Sequence, residues 1–133
     1  MNKMSRRTEY GLMALKVFET QQSGFISAKT IADATHAPFE VTARVLQVLS
    51  HRGILHAEYG VNGGYKLAKS LDQVSVLDLI EALESSSDLA KCLGSPGECE
   101  LEKNCTIAKP ISQLNQKLHS FYKSVSIAEV LNG

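Results

Sequence analysis

Apolar positions in the first part of the chain recur at helical spacing and then in two short extended runs. Tyr10, Met13, Ala14, Val17 and Phe18 follow a 3.6-residue period and predict an amphipathic helix that Ser23-Gly24 ends. Ser27 is placed to cap a short helix over Ala28 to Thr35, with Ala28, Ile31 and Ala32 turned inward. His36-Ala37-Pro38 makes a tight connection, because a residue before proline avoids helical geometry. A further helix is predicted from Phe39 to His51. Its apolar face is Val41, Val45, Val48 and Leu49, which leaves Glu40, Thr42, Arg44 and Gln47 outward. Two helices joined by a short turn, the second with a polar outer face, form the helix-turn-helix pattern.

Gly53 supplies a left-handed cap after that helix. Ile54 to Tyr59 and Tyr65 to Ala68 then read as strands around Gly60-Val61-Asn62-Gly63-Gly64, where Asn-Gly is a hairpin signal. A hairpin directly behind the second helix of the pair is a wing. Its acid-free tip, with Asn62 and Gly63 as candidate contacts and Lys66 beside it, suits a phosphate backbone or a minor groove. Ser75-Val76-Leu77-Asp78 is a capping box that opens a helix to about Glu84. From Asp88 to Cys105 no period exists, which predicts a loop. Ile107, Ile111, Leu114, Leu118, Phe121 and Val125 then recur in steps of 4 and 3, a heptad seam on a long helix starting near Pro110. Such a seam predicts a partner helix, most simply in a homodimer. The expected architecture is mainly α with a small β-hairpin. It comprises a winged helix-turn-helix over 1–84, a cysteine-containing loop over 85–106, and a dimerisation helix with a C-terminal tail over 107–133.

A chain of 133 residues with 44% hydrophobic and 21% charged residues has the composition of an ordinary globular protein. It contains no apolar run of about 18 residues for a membrane span. Its start does not read as a signal peptide, so a cytoplasmic location without membrane association is the expectation. The net charge is zero, but its distribution is uneven. Residues up to 69 are net +4, whereas eight acids face only Lys91 and Lys103 between residues 71 and 105. A basic DNA-reading half beside an acidic regulatory segment fits this asymmetry. Within the basic half, Arg6, Arg7 and Lys29 are candidate phosphate contacts, which would make binding salt-dependent. Arg44 and Gln47 are candidates for bidentate contacts to guanine and adenine, and Thr42 for a phosphate or a thymine methyl. His51 and His56 flank the wing as structural or backbone-contacting residues.

All three cysteines, Cys92, Cys99 and Cys105, lie within fourteen residues. In an intracellular chain this clustering points to metal binding or redox chemistry before a structural disulfide. Thiolates suit iron–sulfur clusters and zinc, and the spacing is not the paired Cys-x-x-Cys of a zinc ribbon. Gly94, Pro96 and Gly97 give the loop the turns to wrap a cluster. Three thiolates do not complete the four-ligand set of a common cluster, so a fourth ligand must come from elsewhere.

The order of these elements resembles the iron–sulfur winged-helix regulators of bacteria typified by IscR, NsrR and RirA. The resemblance rests on Thr8-Glu9-Tyr10-Gly11-Leu12, on Gly60-Val61-Asn62-Gly63-Gly64-Tyr65-Lys66-Leu67-Ala68 and on the three cysteines. It extends to Val125-Ser126-Ile127-Ala128-Glu129-Val130-Leu131 at the end. The segment Cys99 to Cys105 looks most like members that govern iron–sulfur assembly operons. The resemblance implies a homodimer on a palindromic double-stranded DNA operator, with cluster state altering DNA affinity. It also implies Cys92, Cys99 and Cys105 as ligands. In the IscR-like branch a histidine three residues after the last cysteine is the fourth ligand, and here that position is Ala108. In the NsrR-like branch an aspartate near the N-terminus of the other subunit completes a four-iron cluster, and Glu9 occupies the matching position. A four-iron cluster held partly by Glu9 of the partner subunit is therefore preferred, with a two-iron cluster as the alternative. Ala43 stands where some IscR-like members carry a base-discriminating acid, so operator preference does not carry over.

Two rival readings stand beside this one. In the first, the three cysteines form a cluster-free thiol–disulfide switch. In the second, the winged helix binds a protein instead of DNA. An enzyme acting on a small-molecule substrate is disfavoured, since no nucleophile–base motif, phosphate loop or Ser/His/Asp arrangement is present.

Overall fold

The computed structural model describes residues 3–21, 24–84 and 106–133. Its elements are α1 (Arg6–Thr20), α2 (Ala28–Thr35), α3 (Phe39–His51), β1 (Leu55–Glu58), β2 (Gly64–Leu67), a 3₁₀ turn at Leu71–Gln73, α4 (Val76–Leu83), α5 (Ala108–Ser124) and α6 (Ile127–Asn132). The winged helix is built from α1 to β2, and the long C-terminal helix is α5. No helix among the described residues is long and apolar enough to cross a membrane.

Local chemistry sets most boundaries. The Ser5 and Ser27 hydroxyls accept the backbone N–H groups of Thr8 and Thr30, which caps α1 and α2. His36, at φ 59°, occupies the left-handed position that ends α2. Behind α3, Gly53 at φ 79° donates to the Ser50 carbonyl while Ile54 donates to Leu49, closing a Schellman motif. The expected capping box is present: Asp78 N–H reaches the Ser75 hydroxyl, and Ser75 N–H reaches the Asp78 carboxylate.

Two helices turn a different stripe to the core from the one their apolar residues suggested. In α1 the buried line is Thr8, Gly11, Ala14, Leu15 and Phe18, while Tyr10 and Val17 are half-buried and Met13 is exposed. In α3 it is Thr42, Val45, Leu46 and Leu49, with Val41 and Val48 only half-buried. Close packing explains the first offset. A Cβ on Gly11 would stand 2.6 Å from Leu83 Cδ1, so α1 meets α4 at its glycine. Leu15, Ile31, Leu46, Leu49, Ile54, Leu55, Leu79, Leu83 and Ile127 share the resulting core.

The hairpin pairs Leu55 with Leu67 through Glu58 with Gly64. A third, single-residue strand joins it: Ile26 and Tyr65 exchange both N–H···O bonds at 2.8 Å. Gly64 permits this approach, since a Cβ there would lie 2.5 Å from the Ile26 carbonyl oxygen. The turn itself differs from an Asn-Gly hairpin. Gly63 N–H bonds to the Gly60 carbonyl at 3.1 Å, so Val61 and Asn62 are the central residues and neither has positive φ.

The C-terminal residues, expected to trail α5 as a tail, return to the backbone around Val74 and Val76 at the start of α4. Val76 N–H donates to Val125, and Ile127 N–H donates to Val74 at 2.8 Å. Ile127 is thereby buried in the same core as Leu15 and Leu46.

Candidate nucleic-acid interface

The outer face of α3 carries Glu40, Arg44 and Gln47, all exposed as the sequence pattern requires. Phe39, the first residue of α3, is also 53% exposed. Together with Arg7 from the first turn of α1, and with Val41, Ala43 and Val45, these side chains line a concavity of about 520 Å³. Three of the candidate contacts, Arg7, Arg44 and Gln47, are thus brought to one surface by two different helices.

Thr42 is a correction. It is 3% exposed, and its hydroxyl has no hydrogen-bond partner among the described residues. It lies three residues before Val45 and four before Leu46, on the stripe that faces the core, so it reaches neither a phosphate nor a thymine methyl. Phe39 is a large apolar group that the outer face does present, and the sequence pattern gave it no role beyond opening the helix.

The remaining candidates are at the surface. Arg6 pairs with Glu9 at 3.0 Å, with the Glu9 side chain 43% exposed. Lys29 pairs with Asp33 at 3.6 Å. Both pairs are short-range partners on exposed helix faces and cost little to exchange for a phosphate. Asn62 is exposed and Gly63 half-buried at the wing tip, beside Tyr59 and Val61, which are almost wholly in solvent. Gly63 has a definite role there: a Cβ would stand 2.2 Å from the Glu58 carbonyl oxygen. At the wing base the Lys66 ammonium sits 4.8 Å above the Phe25 ring, which also stacks obliquely on His56.

No motif or spacing singled out Glu84 as a functional residue. Its carboxylate accepts from the Ser5 N–H at 3.2 Å and from the Ser5 and Thr8 hydroxyls. Burial alone would raise its pKa. The two hydroxyls, the Ser5 N–H and the Arg7 charge outweigh that and hold the carboxyl below its usual 4.5. The end of α4 is thus fastened to the turn that carries Arg6, Arg7 and Glu9. Glu84 immediately precedes the segment that contains Cys92, Cys99 and Cys105.

Those three cysteines lie outside the described residues. Among the described residues, no three His, Cys, Asp or Glu side chains converge on a possible metal position. Any cluster therefore depends on the cysteine segment. As donors, three thiolates and one carboxylate make a chemically competent set of four, and Glu9 is accessible enough to serve.

The family model of the Rrf2 iron-dependent transcriptional regulators matches residues 4–133. The chain is a member of the Rrf2 family. It is a DNA-binding transcriptional regulator and not an enzyme. An HTH-type transcriptional regulator of Synechocystis is 30% identical over 129 residues, covering 96% of this chain and 86% of that protein. Two solved Rrf2-like structures share the fold. The global cysteine regulator CymR of B. subtilis matches with a TM-score of 0.72 at 20% identity, over 99% of this chain and 98% of that one. IscR of T. potens matches with a TM-score of 0.69 at 22% identity, over 98% and 86%.

Proposed function

We propose that this regulator binds a palindromic operator as a homodimer, with its affinity set by an iron–sulfur cluster on Cys92, Cys99 and Cys105. The observation that carries this reading is the position of Glu84, which fastens the end of α4, the residue before the cysteine segment, to the first turn of α1. A rearrangement that reached Glu84 would be felt at the turn that carries Arg6 and Arg7. In this reading Arg6, Arg7 and Lys29 bind phosphates, Arg44 and Gln47 read bases, and Asn62 and Gly63 bring the wing against the duplex. The protein works in the cytoplasm, with the organisation 1–84, 85–106 and 107–133 given by its sequence.

The dimer is supported by α5. Ile107, Leu114 and Phe121 recur every seven residues and are 56, 49 and 60% exposed in the single chain. An apolar seam of this kind, left bare on one subunit, suits the same seam of a second copy. Pairing would also supply Glu9 of the partner subunit as the fourth ligand of a four-iron cluster. When bound, the cluster supplies a redox-reactive iron centre with one labile site, because a carboxylate is a hard and exchangeable ligand beside thiolates.

Ala108, in the position of the IscR-like histidine, favours one second reading, a cluster-free thiol switch. Anaerobic purification with iron and sulfide quantification separates the two. Brown protein containing both elements, with cluster absorbance altered by Glu9→Ala, supports the proposal. Colourless protein whose DNA affinity follows thiol oxidation supports the switch.

A further inference from the structure

An aromatic side chain left half in solvent at the start of a reading helix is available to cover an apolar group of a bound duplex. Phe39 is such a residue: it opens α3 and faces the concavity shared by Arg7, Arg44 and Gln47. Ala43 lies one helical turn behind it and lines the same concavity, with Gln47 a further turn along. The outer face of α3 therefore carries an apolar strip, Phe39 and Ala43, beside groups able to bond base edges. The N-terminal residues of a reading helix are those that contact base edges in the major groove. The thymine 5-methyl is the apolar group that the four bases present there.

We propose that Phe39, backed by Ala43, selects a thymine in each operator half-site by covering its 5-methyl group. This rests on the reading of α3 as the major-groove helix. The cations favour DNA over a protein as the occupant of this surface: Arg7 and Arg44 line the same concavity as Phe39, and Glu40 is the one acid among its lining residues. Thymine specificity is thereby moved from Thr42, whose side chain is buried, to the first residue of the helix.

The test replaces single thymines of a selected operator by deoxyuridine, which removes the methyl and leaves every hydrogen-bonding group in place. The operator comes from selection of random duplexes by the full-length dimer, and affinity is read by fluorescence anisotropy. One thymine position per half-site should show a loss of about fourfold on deoxyuridine. That is the value of one buried methyl at about 0.8 kcal/mol, with about 1.4 kcal/mol per factor of ten. Phe39→Ala should bind the thymine and deoxyuridine operators equally, and Phe39→Leu should restore part of the difference. Circular dichroism of both variants establishes that α3 is intact. Deoxyuridine that is neutral at every position, or a loss that persists undiminished in Phe39→Ala, overturns the inference while DNA binding stands. A chain that selects no sequence at all overturns both this inference and the operator reading beneath it.

Discussion

Replacing Glu84 by alanine tests how the end of α4 is joined to the first turn of α1. The carboxylate is the acceptor for the Ser5 N–H, the Ser5 hydroxyl and the Thr8 hydroxyl, and Thr8 is wholly buried. Without it, the Thr8 hydroxyl keeps only a 3.2 Å contact with the Ser5 oxygen. A buried donor deprived of its charged acceptor costs about 1–3 kcal/mol, so Glu84→Ala should destabilise the chain by about 2 kcal/mol. Glu84→Gln, which retains an acceptor oxygen without the charge, should cost about 1 kcal/mol. Removing both partners, with Thr8→Val added to Glu84→Ala, should cost less than the two single losses combined. Urea unfolding followed by far-ultraviolet circular dichroism measures all three, with an unchanged slope marking a true stability effect.

The pH dependence has a definite sign. The folded carboxyl holds its proton less tightly than the unfolded one, whose value is 4.5. Its contribution is complete above that value and is lost as pH falls through the lowered folded value. The gap between the native chain and Glu84→Ala should therefore be full at neutral pH and shrink in acid. A gap under about 0.5 kcal/mol at neutral pH, within the range of ordinary surface changes, refutes a stabilising role for the Glu84 contacts with Ser5 and Thr8. So does a gap that acid leaves unaltered.

Three further expectations concern the orientation of α3 and the wing. Thr42→Val removes a buried hydroxyl that lacks a partner among the described residues, and should stabilise the chain by about 1 kcal/mol without changing operator affinity. A loss of affinity of about tenfold would return Thr42 to the interface. Leu46→Ala should cost about 2–5 kcal/mol, whereas Val48→Ala should cost about 1 kcal/mol, the reverse of what the apolar pattern of α3 suggests. Chemical denaturation of the two variants decides the helix orientation. Gly63→Ala forces a Cβ against the Glu58 carbonyl, so it should open the hairpin, leave the helical dichroism intact and weaken DNA binding by about tenfold. Unchanged DNA binding would remove the wing from the interface.

Much of this architecture was legible because its boundaries are written in single residues. Ser27, the pre-proline turn at Ala37-Pro38 and Gly53 placed α2 and α3 at their observed limits. The facing of the helices was not, because the buried stripes include Thr8, Gly11 and Thr42. None of these registers as apolar, and the chosen spacing passed over Leu15 and Leu46, so the predicted faces were offset. Asn62-Gly63 announced a hairpin, but the turn lies one residue earlier, with Gly63 placed to avoid the Glu58 carbonyl. Contacts between distant residues left no local trace at all. Ile26 pairs with Tyr65 through one residue, too short for alternation to appear, and Glu84 meets Ser5 across 79 positions. Of the site, the outward Arg44 and Gln47 followed from helical periodicity. Their meeting with Arg7 and the exposure of Phe39 required the packed fold.

The proposed control of DNA binding by a cluster on the cysteine segment is read from operator affinity of one anaerobic preparation before cluster removal, after removal, and after rebuilding with iron and sulfide. Iron and sulfide in the initial sample, a change of affinity of about tenfold or more on removal, and its recovery on rebuilding are expected. A preparation without iron or sulfide, or equal affinity in all three states, contradicts cluster control.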